Sequence, residues 1–166
     1  MVICIEGAIG AGKTSLINTL KARNPDKYAY YPEPIEQWER PGGPLENFYA
    51  DSERYAFEFE LQCLWQLLRS TIGDPTEIRP KIQERSLLAV YHVFSQLQHK
   101  EGNISTGQLH TIKNIVNTYL KLSQVEAIVY IYVKPELALE RIPLRGRNSE
   151  SNLTEEYPHP GMRTLR

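Results

Sequence analysis

Cysteine is scarce: Cys4 and Cys63 are the only two in 166 residues. They are too few and too far apart for a disulfide framework or a metal-binding spacing, and both stand among apolar neighbours, as small buried hydrophobes in a reducing compartment do. Neither sign of charge is in excess, because 19 Lys and Arg stand against 20 Asp and Glu for a formal net charge of −1. No global basic field therefore points to nucleic acid or to an anionic membrane surface. Long apolar runs are lacking too. The apolar start at Val2 carries no basic leader and breaks at Glu6, so it reads as neither signal peptide nor membrane span. Repeats at solenoid periods are absent. What is left is one globular domain by length, expected in the cytoplasm and without nucleic-acid or membrane partners.

What is present is concentrated at the start. Gly7 to Thr14 fit G-x-x-x-x-G-K-[ST], a loop whose glycines let backbone N–H groups close around phosphate oxygens. Val2, Ile3 and Ile5 before it read as a buried strand, and Ser15 to Lys21 after it read as a helix whose N-terminus favours an anion. That strand–loop–helix context is what the motif requires. Gly7, Ala8, Gly10, Ala11, Gly12, Lys13, Thr14 and Ser15 are the expected phosphate-binding residues, with Lys13 on the β- and γ-phosphates and the Thr14 hydroxyl on Mg²⁺.

Further along, Tyr28 to Tyr31 is a short strand ending at Pro32-Glu33-Pro34, which holds the Glu33 carboxylate in extended backbone where open α/β sheets bind their ligands. From Leu45 to about Ser70 two periods compete, and length favours a helix. Ile78 to Gln83 predicts a third strand, ending at Glu84-Arg85-Ser86, and Leu87 to Lys100 a helix. Leu109, Ile112, Ile115, Val116, Tyr119 and Leu120 form one helical stripe. Val125 to Val133 predicts a buried strand, and Pro135 opens a helix to about Ile142. Leu144 to Glu150 is a polar, basic loop, and residues 151–166 read as loop or tail. Strands alternating with helices predict an α/β fold of three layers, with a parallel sheet of about four strands flanked by helices.

Four further pieces follow the phosphate loop in a telling order: Glu33-Pro34-x-x-x-Trp38, Phe48-Tyr49, Glu84-Arg85-Ser86, and Arg141-x-x-x-Arg145-x-Arg147-Asn148-Ser149-Glu150. Together they resemble the deoxyribonucleoside kinases, over residues 1–150. The resemblance implies a P-loop fold with an arginine-rich lid, transfer of the γ-phosphate of ATP with Mg²⁺ to the 5′-hydroxyl of a deoxyribonucleoside, and a homodimer. Under it Glu33 takes or orients the hydroxyl proton, and Arg85 sits beside Glu33 and the attacking oxygen. Glu84 helps organise the Mg²⁺ shell, and Arg141, Arg145 and Arg147 supply positive charge around the transferring group. Tyr49 and Glu150 resemble the pair that holds the sugar 3′-hydroxyl, Trp38, Phe59 and Phe94 the walls around the nucleobase, and Ile9 packs near the sugar.

Three departures stand out. Glu60 occupies a position where the family usually carries a glutamine that pairs with the base edge. An ionised carboxylate only accepts hydrogen bonds, which suits guanine's N1–H and N2–H. Leu67 and Val90 stand where purine-tolerant members carry an Arg and an Asp, which favours a pyrimidine such as thymidine or a broad range. Tyr91 replaces a common arginine, and the expected helix, fifth strand and adenine-covering loop beyond the lid have no counterpart after Ser151. Two other readings stay open: a thymidylate-type monophosphate kinase, and a nucleotide-binding protein without turnover.

Overall fold

The computed structural model describes residues 1–73, 76–121 and 125–144. Four parallel strands form one sheet: β1 (Val2–Gly7), β2 (Ala29–Tyr31), β3 (Lys81–Glu84) and β4 (Val125–Ile131), in the spatial order β2-β3-β1-β4. β1 is the hub, because Ile5 stands opposite Glu84 on one side and Val129 on the other. The carboxyl ends of β1, β2 and β3 thus converge, and a parallel sheet flanked by helices puts its ligand there.

The helices are α1 (Lys13–Arg23), α2 (Ile35–Trp38), α3 (Pro44–Ala50), α4 (Ser52–Ile72), α5 (Leu87–Ala89), α6 (Gln96–Lys100), α7 (Thr106–Leu120) and α8 (Pro135–Leu144). A π-helical turn, Val90–Ser95, joins α5 to α6 without a break. Apolar stripes on α4 and α7 meet this turn in the main core, around Leu64, Leu67, Val90, Ile112 and Val116. A smaller core of Ile5, Ile17 and Ile82 packs α1 on the sheet.

Four expectations need correction. The long helix is two, because Asp51 closes α3 and its carboxylate accepts from the Arg54 N–H at 3.2 Å to start α4. β3 starts at Lys81, not Ile78: Pro80 has no N–H to extend the ladder, and Ile78 is 94% exposed. β4 ends at Ile131 and is not buried. Among the described residues it pairs with β1 alone, and Ile128, Val129 and Tyr130 remain more than two-fifths exposed. An apolar run reports a tolerance for burial, whereas place in the sheet decides it.

Candidate active site

The phosphate loop is shaped by glycine. Gly10 and Gly12 hold φ of 83° and 93°, in the left-handed region that side chains with a Cβ avoid. A Cβ at Gly10 would run into the Ala138 carbonyl of α8, and one at Gly7 would stand 2.7 Å from the Ile131 carbonyl oxygen. The loop is therefore clamped between β4 and α8. Gly12 leads directly into α1, whose N-terminus carries no acidic side chain or side-chain cap, and this leaves its N–H groups for an anion. Lys13 is buried and its Nζ donates to the carbonyls of Gly7 at 3.2 Å and Ala8 at 3.0 Å, folded back over the loop it serves.

Around the loop stand three glutamates and one arginine. The Thr14 hydroxyl donates to the Glu84 carboxylate, with oxygens at 2.9 and 3.1 Å. Arg85 Nε donates to Glu33 Oε1 at 2.6 Å, bringing together two residues 52 positions apart. Arg85 itself holds φ of 65°, a strained setting for a side chain with a Cβ. Its backbone is pinned, since its N–H donates to Ile5 O at 3.0 Å and its carbonyl accepts from Gln83 Nε2 at 3.0 Å. The strain aims the guanidinium back over the sheet end and across the Phe94 ring, 4.5 Å from its centre. Burial opposes the Arg85 charge, but Glu33, Glu6 and Glu84 outweigh it and hold its pKa above the ordinary value.

Glu6 is a site residue that sequence reasoning treated only as a break in an apolar run. It is buried, and its Oε1 accepts from both the Ser86 N–H and the Ser86 hydroxyl at 2.7 Å, fixing the turn that presents Arg85. Burial pushes its carboxyl up, against Arg85, Ser86 and Lys13. Glu84 is raised by burial and then by the neighbouring Glu33, opposed by Lys13, Thr14 and Arg85. A hydroxyl and a carboxylate side by side, in a pocket already crowded with negative charge, suit a hard cation with oxygen ligands.

One cavity of about 280 Å³ joins this charged end to an apolar one. Lys13, Thr14, Glu33, Glu84 and Arg85 line the first, and Trp38, Phe59, Leu67, Val90 and Phe94 the second; Ile9 and Tyr49 line the cavity as well. Trp38 meets Phe59 edge to face at 5.7 Å, and Phe48 stacks on Phe59 at 5.1 Å, so the walls are braced from behind. Glu60 is in the apolar end. Sequence reasoning missed Ser95, whose hydroxyl lies 3.0 Å from Glu60 Oε2, and Cys63, which lines the cavity.

Of the predicted site residues, Gly7, Ala8, Gly10, Ala11, Gly12 and Ser15 lie in the loop and the start of α1 and are not among those lining the cavity. Ile9, Lys13, Thr14, Glu33, Trp38, Tyr49, Phe59, Glu60, Glu84, Arg85 and Phe94 all line this cavity. Arg141 does not: it is exposed on the last turn of α8, three residues beyond the Ala138 that backs Gly10. Arg145, Arg147 and Glu150 lie outside the described residues, as does the segment 151–166.

A glycine-shaped loop between a central parallel strand and a helix, with Lys13 and Thr14 opening onto a deep cleft, defines a P-loop kinase fold. The chain belongs to the deoxynucleoside kinase family, whose model matches residues 3–160. It is 32% identical over 157 residues to putative kinase protein 143R of Invertebrate iridescent virus 6, covering 94% of this chain and 75% of that one. It is 30% identical over 162 residues to a probable deoxycytidine kinase of Fowlpox virus, covering 93% and 66%. The deoxyadenosine kinase of Dictyostelium discoideum is 30% identical over 164 residues, covering 93% and 61%. The chain thus spans between three-fifths and three-quarters of these relatives' lengths. No helix among the described residues is long and apolar enough to cross a membrane.

Proposed function

We propose that the chain transfers the γ-phosphate of ATP to the 5′-hydroxyl of a deoxynucleoside. The observation that carries this reading is one cavity with Lys13 and Thr14 of the phosphate loop and the Glu33–Arg85 pair at one end and aromatic walls at the other. Phosphoryl transfer asks mainly for positioning and for positive charge around the transferring group. The loop N–H groups and Lys13 hold the donor's phosphates. A base seated between Trp38, Phe59 and Phe94 directs its sugar past Tyr49 and Ile9 toward Glu33. Glu33 accepts the 5′-hydroxyl proton as that oxygen attacks phosphorus, and Arg85 orients the carboxylate and faces the charge that develops.

Thr14 and Glu84 would hold the Mg²⁺ that accompanies ATP, an ion that neutralises charge on the phosphate oxygens. Arg141, with Arg145 and Arg147, closes over the phosphates as a lid. Glu150 joins Tyr49 at the sugar 3′-hydroxyl. A hydroxyl acceptor fits Glu33, whereas the phosphate of a nucleotide acceptor would meet two carboxylates, Glu33 and Glu84. The bases favoured are pyrimidines, cytosine or thymine, within a broad range. The functional unit is a homodimer in the cytoplasm.

The test is an ATP- and Mg²⁺-dependent phosphorylation assay over the four deoxynucleosides and thymidylate, beside Glu33→Gln. Turnover of a nucleoside that falls about 10²-fold or more in the variant is expected. Turnover of thymidylate alone, or ATP binding without any transfer, would replace this reading.

A further inference from the structure

The base end of the cavity contains a carboxyl group that phosphoryl transfer does not use. Glu60 is 4% exposed, in a wall it shares with Phe59, Leu67, Val90 and Phe94. Among the described residues, no Lys, Arg or His nitrogen lies within 4.0 Å of it, the nearby Arg85 being paired with Glu33. Its hydrogen bond is to the hydroxyl of the fully buried Ser95.

That hydroxyl has one proton and two acceptors in reach: Glu60 Oε2 at 3.0 Å and the Val90 carbonyl at 2.9 Å. With the proton on Val90, the Ser95 oxygen can only accept, and Glu60 must supply a proton of its own. With the proton on Glu60 Oε2, the other carboxyl oxygen is left for the cavity. A neutral acid can adopt both arrangements, and a carboxylate only the second. An unpaired carboxylate in an apolar wall also carries a large desolvation cost, which the neutral form avoids.

Resting on the cavity's reading as a nucleoside site, we propose that Glu60 reads the base edge as a neutral carboxylic acid. Ser95 is the rotor that lets it turn either a donor or an acceptor to the base. With Ser95 donating to Oε2, the Oε1–H donor and the second lone pair of Oε2 match the N3 and N4–H of cytosine, the N1 and N6–H of adenine, or the O4 and N3–H of thymine. An ionised Glu60 offers acceptors alone, and guanine's N1–H and N2–H is the edge with two adjacent donors to meet them. The same residue thereby has two base preferences, one for each charge state. Burial pushes the carboxyl up to about 8, against the Ser95 hydrogen bond and the more distant Arg85 charge. The other titratable groups that face this region are Cys63 on the same helix, itself raised by burial, and Glu33 across the cavity. At neutral pH the acid form prevails, and mild alkali converts it.

The experiment is kcat/KM for deoxycytidine and for deoxyguanosine from about pH 6.5 to about pH 9, in the wild type and in Glu60→Gln, an amide that cannot titrate. In the wild type the deoxycytidine-to-deoxyguanosine ratio is expected to fall about tenfold per pH unit above the Glu60 pKa. In Glu60→Gln it stays level. Calorimetry of deoxyguanosine binding at neutral pH, in buffers of different ionisation enthalpy, is expected to show proton release from the wild type and none from the variant. A level ratio in both proteins, an equal fall in both, or no proton release overturns the proposal while leaving the nucleoside site in place. Absence of both nucleoside turnover and nucleoside binding overturns that site reading, and the proposal with it.

Discussion

The two ends of the cleft are built by opposite means. The phosphate end is one contiguous stretch, Gly7 to Thr14, and its working parts are backbone N–H groups, a lysine and a hydroxyl. Its shape depends on what glycine omits: a Cβ at Gly7 or Gly10 would strike β4 or α8. The base end draws Trp38, Phe59, Glu60 and Phe94 from three separate helical segments, and its working parts are side chains. Charge is used differently as well. At the phosphate end buried charges are set against each other, Arg85 against Glu33, Glu6 and Glu84. At the base end a single carboxyl lies next to a neutral hydroxyl. A backbone site tolerates no change of shape yet is indifferent to the acceptor it serves, whereas a side-chain site can change its ligand through one residue.

Substitutions at each end should therefore fail in different ways. Lys13→Met is expected to lower kcat by about 10²–10³ while nucleoside affinity measured by calorimetry stays close to wild type. Loss of nucleoside binding as well would show that the two ends are not separable. Gly10→Ala places a Cβ against the Ala138 carbonyl and in left-handed backbone, and should cost about 2 kcal/mol or more in urea unfolding. An unchanged midpoint would mean that the loop and α8 are not in contact.

The base end should instead be visible in the pH dependence of stability. Glu60 is raised from an ordinary 4.5 to about 8, so between those values the folded chain keeps a proton that the unfolded chain has released. Stability then falls as pH rises through that window, by about 1.4 kcal/mol per pH unit for one such proton. Glu6 and Glu84 are raised and act in the same direction. Glu60→Gln should make the slope shallower by about one proton's share, and equal slopes would contradict a buried neutral Glu60. Smallest is Ser95→Ala, at about 1 kcal/mol of stability. Because the Ser95 hydrogen bond lowers the Glu60 pKa, its removal should also move the base-selectivity midpoint to higher pH.

How much of this was legible in the residues follows the same division. The loop was readable because its spacing encodes backbone shape, and Glu33 because prolines on both sides restrict its conformation. Arg85 was placed beside Glu33 by family order, although nothing local announced its φ of 65°. Glu6 escaped because a carboxylate ending an apolar run looks like a boundary, and its role depends on Ser86, 80 residues away. The exposure of β4 escaped because Val125 to Ile131 has the composition of a central strand, while its neighbours are set by topology. Ser95 escaped because no propensity marks a π turn.

That π turn makes helix length a determinant of the site. Between Val90 and Ser95 the chain carries an i-to-i+5 register inside an otherwise α-helical run, which amounts to one residue more than an α-helix would use to cover the same distance. Deleting a single residue there would let the helix regularise and would rotate everything before the deletion by about 100° relative to everything after it. Phe94 could not then face the cavity, with Ser95 in reach of Glu60 behind it, while α6 kept its packing against α7. Alignments of related chains should therefore be read for gaps at this turn as well as for substitutions, because a frame of one residue decides which side chains reach the base end.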